Sequence, residues 1–285
     1  MAISIPKRLE QLEDLPTIPQ TLQRVLEGLD SVTTSAQNLE EIIREDPILT
    51  AKILKLANSS YYGLKGEVSS IARAVVILGF EEVKNLVIGL SLTGTFSGDL
   101  GFEEFQAPSL WLHSIGVATT AKMLAELIPE LDADELFTAG MLHDLGRFLM
   151  CLYFSEELRQ VLEIQKKKGM TMWEAEMQVG LTHWDVGAYL TAKWGLSDFL
   201  ISVVRHHHYP KKAGPNSRAA AVVFLADQLC HKLELGWGDP GQPTGGKLLV
   251  PKTVGLEPNK IKQVASKIKD MKQEIEGSWG AVVAG

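Results

Sequence analysis

Seven histidines occur in 285 residues, and six of them, His113, His143, His183 and the run His206-His207-His208, fall where one buried site could collect them. His143 is followed at once by Asp144, inside Ala139-Gly-Met-Leu-His-Asp-Leu-Gly-Arg-Phe-Leu-Met150. Apart from that pair and Arg147, the stretch is almost wholly apolar. An imidazole and a carboxylate in a core segment are costly unless something pairs with them. A metal ion suits both, because it accepts neutral imidazole nitrogen and ionised carboxylate oxygen.

Each residue also has a plainer reading. His113 shares a helical face with Leu110, Val117, Ala121 and Leu124, so alone it reads as a core histidine bonded to a carbonyl. On a continuous helix His143 and Asp144 diverge by about 100°. They meet one ion only if it sits beside the helix, or the carboxylate bridges two ions; the alternative is a buried His–Asp hydrogen bond. Gly140 and Gly146 flank the pair and permit close approach. His183 follows Thr182, a helix cap, and has Gly187 four residues on; alone it could be a surface histidine. Asp185 falls on another face. Of the triple histidine at most two can face one way. Asp227 is the lone charge in Ala219-Ala-Ala-Val-Val-Phe-Leu-Ala-Asp-Gln-Leu-Cys230. It is either an i,i+4 partner of His231 or a ligand closing the site. The order is more specific than any member: His, His-Asp, His, His-His, Asp, each on a different expected helix.

The elements that must position these residues are helical. Asp46-Pro47 breaks an apolar-periodic stretch, with the aspartate as N-cap and proline in the first turn. Short helices follow over 71–78 and 81–92. Further helices are expected over 109–128, 134–151, 155–168, 172–178, 181–194, 197–207 and 217–235. A Gly/Pro-rich loop then runs from Gly236 to Gly246, and a last helix over 257–276. Alternating strand patterns are few. The expectation is an all-α protein with an N-terminal helical lobe over 1–100 packed on a histidine-bearing lobe over 101–285, joined near 97–101.

Composition adds bounds. An apolar fraction of 45% and a charged fraction of 22% are those of a globular protein. Net charge is −7 with no basic block, so no nucleic-acid partner is expected. No apolar run is long enough to span a membrane, and the first residues lack a signal-peptide core. Cys151 and Cys230 read as buried thiols of a reducing, cytoplasmic environment.

The ligand order resembles the HD superfamily of metal-dependent phosphohydrolases, whose core pattern His113, His143-Asp144 and Asp227 match. His183, His207 and His208 resemble the extended ligand set of the HD-GYP subgroup. Leu15-Pro-Thr-Ile-Pro19, Asp46-Pro-Ile-Leu-Thr-Ala-Lys-Ile-Leu-Lys-Leu-Ala-Asn-Ser-Ser-Tyr-Tyr-Gly63 and Ile71-Ala-Arg-Ala-Val-Val-Ile-Leu-Gly79 resemble the HDOD domain, a bacterial signalling output module. The resemblance implies one metal on His113, His143, Asp144 and Asp227, and a second on Asp144, His183, His207 and His208. These nitrogen and oxygen ligands favour iron or manganese and admit zinc or nickel. It implies a signal-transduction module acting through a signalling protein partner or a small phosphate-containing ligand. The alternative is a phosphodiesterase or phosphohydrolase in which Asp144 holds the metals and Arg147 steadies the phosphate. His208 is followed by Tyr209-Pro-Lys-Lys rather than a Gly-Tyr-Pro motif, so cyclic di-GMP hydrolysis is not expected.

Overall fold

A computed structural model describes residues 9–10, 12, 15–29, 36–239 and 248–283. The described residues form α-helices and two short 3-10 segments, with no strand among them, so the chain is all-α. They divide into two compact units, residues 16–97 with 271–285, and residues 98–270 with 1–15. The described residues 271–283 thus group with the N-terminal helices.

The unit of residues 16–97 holds α1 (Gln20–Leu29), α2 (Ala36–Arg44), α3 (Pro47–Ala57), α4 (Ile71–Leu78) and α5 (Phe80–Thr95). Helix α3 starts as its sequence requires. Asp46 Oδ1 accepts from the N–H of Leu49 at 2.9 Å, and Pro47 occupies the first turn. Its apolar positions Leu49, Ile53 and Leu56 are buried with Ile71, Val83 and Leu86. Asn58 ties the loop between α3 and α4, donating to Val68 O and accepting from Val68 N, each at 2.8 Å.

The unit of residues 98–270 holds α6 (Ala107–Ala125), α7 (Ala133–Leu142), α8 (Leu145–Tyr153), α9 (Ser155–Lys168), α10 (Met172–Val179), α11 (His183–Lys193), α12 (Asp198–His206) and α13 (Ser217–Lys232). The 3-10 segments are Pro210–Asn216 and Lys252–Val254, and the last helix α14 (Pro258–Val283) runs across the division at residue 270. Helix α6 packs on α7 and α13, and α11 on α8 and α12. Caps match their sequences: Thr171 and Glu174 form a capping box on α10, and Thr182 caps α11.

One expected element is different. The helix over 134–151 is two helices, α7 and α8, separated by a turn at His143 and Asp144. Asp144 has φ −102° and ψ 11°, in the bridge region. It stands at the N-cap position of α8 yet makes no capping bond with its side chain; its carboxylate faces the site described below. The break frees His143 and Asp144 from the divergence a continuous helix would impose. Part of the expected 236–246 loop, residues 240–246, lies outside the described residues. No described helix is long and apolar enough to cross a membrane.

Candidate metal centre

Helices α6, α7, α11 and α13, with the turns after α7 and α12, bring the expected ligands together. His113, His143, His183 and His207 are 0% exposed, and Asp144 and Asp227 are 2% and 3% exposed, so bulk water does not satisfy them. His208 is nearly buried at 9%. His206 is only half-buried and belongs to none of the close-set groups, which are His183 with His207 and His208, His113 with His143 and Asp144, and His113 with Asp227 and His231.

Three imidazoles are held the same way. His143 Nδ1–H donates to Gly140 O and His207 Nδ1–H to Val204 O, each at 2.7 Å, and His183 Nδ1–H donates to Glu176 Oε2 at 2.6 Å. Carbonyls only accept, so on His143 and His207 the proton lies on Nδ1 and the lone pair on Nε2, and the ionised form of Glu176 fixes His183 in the same way. Burial lowers the pKa of all three, that of His207 to about 4, so they are neutral near pH 7. Their Nε2 atoms converge. His183 Nε2 stands 3.2 Å from His207 Nε2 and 3.1 Å from His208 Nε2. With both Nδ1 atoms protonated, His183 and His207 point lone pair at lone pair, an arrangement no hydrogen bond can stabilise.

Asp144 lies between the two clusters. Its Oδ1 is 3.3 Å from His183 Nε2, and its Oδ2 is 3.6 Å from His143 Nε2. Neither Oδ1 nor His143 Nε2 has a hydrogen-bond partner, and both are buried. Burial resists the charge on Asp144, but Arg147, His143 and His183 outweigh it and hold the carboxyl well below the usual range. Asp227 Oδ1 is 3.1 Å from His113 Nε2, 3.0 Å from His231 Nε2 and 3.9 Å from His143 Nε2. An ionised carboxylate between clusters of neutral nitrogens, with buried atoms lacking any partner, fits cations of the nitrogen-and-oxygen-preferring kind. The seven expected ligands fall into this one site.

Sequence reasoning missed its supports. Glu176 is fully buried, and its Oε2 also accepts from the backbone N–H of His183 at 2.9 Å while Oε1 accepts from Arg147 at 3.0 Å. Burial raises its pKa to about 7 against the pull of Arg147. The signal was present: Met172, Ala175 and Glu176 share the buried face of α10, so Glu176 is a lone charge on an apolar stripe, as Asp227 is. The i,i+4 pairing of Asp227 with His231, one of the two alternatives its spacing allows, is present at 3.0 Å. Burial opposes the charge of His231, but Asp227 outweighs burial and raises the pKa.

Arg147 is buried at 3% exposure. Its Nε lies 2.9 Å from Asp144 Oδ2, its other end bonds Glu176, and its guanidinium sits 4.6 Å from the Trp237 ring centre. Two carboxylates and an aromatic face thus engage the group expected to steady a phosphate. Trp237 is fixed by N–H donation to Ser109 O at 2.9 Å and ring N–H donation to Glu104 O at 2.8 Å. The chain reaches it through Gly236, whose φ of +75° favours glycine and where a Cβ would fall 2.2 Å from His113 N. Gly146 is equally constrained, since a Cβ there would fall 1.9 Å from His183 O. It lets α8 carry Asp144 against the start of α11.

An all-helical chain with a buried histidine–aspartate cluster is the class that fold and site define. The chain belongs to the HDOD domain family, whose model matches residues 15–210. It is 23% identical over 202 residues to an uncharacterized protein of Treponema pallidum (strain Nichols), covering 70% of this chain and 38% of that one. It is 30% identical over 140 residues to a ribonuclease Y of Aquifex aeolicus (strain VF5), covering 47% and 19%. The chain therefore spans less than two fifths of the length of these curated relatives. Its fold is that of an HDOD domain protein of unknown function from Geobacter sulfurreducens, with a TM-score of 0.80, 24% identity and 97% of each chain covered. It is also that of a protein from Shewanella amazonensis SB2B described as a candidate phosphohydrolase, with a TM-score of 0.76, 23% identity and 99% of each chain covered.

Proposed function

We propose that this HDOD domain is a signal-transduction output module that keeps a dinuclear metal centre and acts by binding a small ligand or a protein partner. The observation that carries the reading is the convergence of His183 Nε2 and His207 Nε2, 3.2 Å apart in a buried site beside Asp144. One position would use His113, His143, Asp144 and Asp227, and the other Asp144, His183, His207 and His208. Asp144 would be common to both, which suits a carboxylate whose two oxygens face different clusters. Iron or manganese is favoured, and zinc or nickel fits the same donors.

The residues around the ligands have definite tasks. Glu176 fixes the tautomer and orientation of His183, and the carbonyls of Gly140 and Val204 do the same for His143 and His207. Arg147 keeps Asp144 ionised and turned inward. When bound, ions of this kind polarise water and phosphoryl oxygens. A phosphohydrolase is therefore the second reading, favoured by one observation: His208 also lines an open cleft, which gives a small molecule a route to the ligand set.

The two readings separate in one assay. Metal-supplemented protein is incubated with bis(4-nitrophenyl) phosphate and with cyclic di-GMP, beside the Asp144→Ala variant. The binding-module reading expects no turnover of either that Asp144→Ala abolishes. Turnover of the aryl diester lost in Asp144→Ala would establish the hydrolase instead. Turnover of cyclic di-GMP at about 1 per second or faster would overturn both as stated.

A further inference from the structure

A cleft of roughly 630 Å³ opens beside the metal centre, between residues 209–212 and residues 251–253, with His208 among its walls. His208 thus serves two spaces. Its Nε2 lies 3.1 Å from His183 Nε2 in the ligand cluster, and the residue is also among those lining the cleft. Three lysines, Lys211, Lys212 and Lys252, line the cleft, and among the described residues no carboxylate does. In a chain of net charge −7, that concentration of one sign selects anions. Pro210, Pro251 and Tyr209 line the same cleft and supply apolar surface beside the lysines.

Both walls are held in place. On one side Gln228 on α13 donates to Leu249 O at 2.8 Å and accepts from Leu249 N at 3.0 Å. Arg218, also on α13, donates to Val254 O at 3.3 Å, and Val254 is fully buried. The turn carrying Lys252 is therefore fastened at both ends. On the other side Tyr209 packs against Trp173 and Trp184, with ring centroids 5.9 Å away in each case, and Lys212 Nζ lies 4.8 Å from the Tyr209 ring centre. A cleft with fixed walls loses little freedom when a ligand enters.

We propose that this cleft binds an organic phosphate with a planar apolar body, its phosphate between Lys211 and Lys252 and its body against Pro210 and Pro251. Assigning the cleft as the ligand entrance of the metal centre rests on the metal reading above. The binding itself does not.

The test is calorimetric titration of the full chain with phenylphosphonate, which carries the dianion and the ring but no ester to cleave. Metal content is measured on the same samples. Binding is expected, tighter than that of inorganic phosphate, and weakening with salt. The double variant Lys211→Glu/Lys252→Glu should bind about tenfold more weakly, the scale of two reversed solvent-facing charges, with metal content unchanged. Phenylphosphonate binding equal in variant and wild type would overturn the proposal, as would no advantage over inorganic phosphate. Loss of metal in the variant would also overturn it, because the lysines would then be supports of the ligands. Metal-free protein that still binds phenylphosphonate through these lysines would leave the cleft standing and remove the metal reading.

Discussion

Glu176 and His183 are joined twice: one carboxylate oxygen accepts both the backbone N–H of His183, at 2.9 Å, and its ring Nδ1–H, at 2.6 Å. The two hydrogen bonds to one oxygen orient the His183 ring and favour the tautomer that keeps the lone pair on Nε2. Glu176→Ala should therefore weaken metal retention by roughly 10–100-fold, the usual cost of removing an outer partner of a ligand. Glu176→Gln keeps an acceptor and should cost less. Chelator competition followed by metal analysis checks the ranking; equal retention in all three proteins would show that His183 needs no such support.

Arg147 balances two buried carboxylates. Its removal leaves Asp144 and Glu176 without the buried cation they share, so Arg147→Ala should lower stability by about 3–5 kcal/mol. Arg147→Lys restores charge but not the fork that reaches both partners, and should recover only part. Urea unfolding of the three proteins measures this. A change below about 0.5 kcal/mol in Arg147→Ala, the scale of ordinary surface substitutions, would point to a group held for ligand contact rather than for the fold.

Gly146→Ala places a methyl group 1.9 Å from His183 O by ideal geometry. Helices α8 and α11 must separate, at a cost of about 1–3 kcal/mol, and Asp144 must draw away from His183. Stability and metal content should fall together. A wild-type denaturation midpoint would mean that the two helices do not meet so closely in solution.

The buried imidazoles set a pH dependence for protein stripped of metal. His143, His183, His207 and His208 have folded pKa values lowered from 6.5, that of His207 to about 4. Between those limits the unfolded chain binds more protons than the folded one, so stability falls as pH drops from about 6.5 toward 4. Glu176, raised from 4.5 to about 7, works in the opposite sense over the same window, but it is one group against four. Thermal unfolding of chelator-treated protein should show its melting temperature dropping from pH 6.5 to pH 4.5; a flat or rising profile would contradict neutral, buried imidazoles.

Much of this was legible in the chain. Asp46-Pro47 and Thr182 announce helix starts by local chemistry, and the structure puts caps there. His113 and Asp227 were visible as polar residues on apolar helical faces. The break at His143-Asp144 was not, because the apolar period continues across it and nothing local demands a turn. Its cause is tertiary: Asp144 abandons the capping role its position offers and faces the imidazoles. The engagement of Arg147 was hidden for the same reason, since Glu176 and Trp237 reach it from distant segments. His231 shows the limit of spacing, which predicted its pairing with Asp227 but not that both sit against His113.

Metal retention by the converging imidazoles and Asp144 underlies the proposed function. Elemental analysis of purified protein, supplemented with iron or manganese under reducing conditions, tests it most directly, alongside Asp144→Ala and His206→Ala. Close to two ions per chain are expected in the wild type and in His206→Ala, whose half-buried residue lies outside the cluster, with loss of most metal in Asp144→Ala. Fewer than one ion per chain in the wild type, or equal metal loss from the two variants, would contradict the proposal.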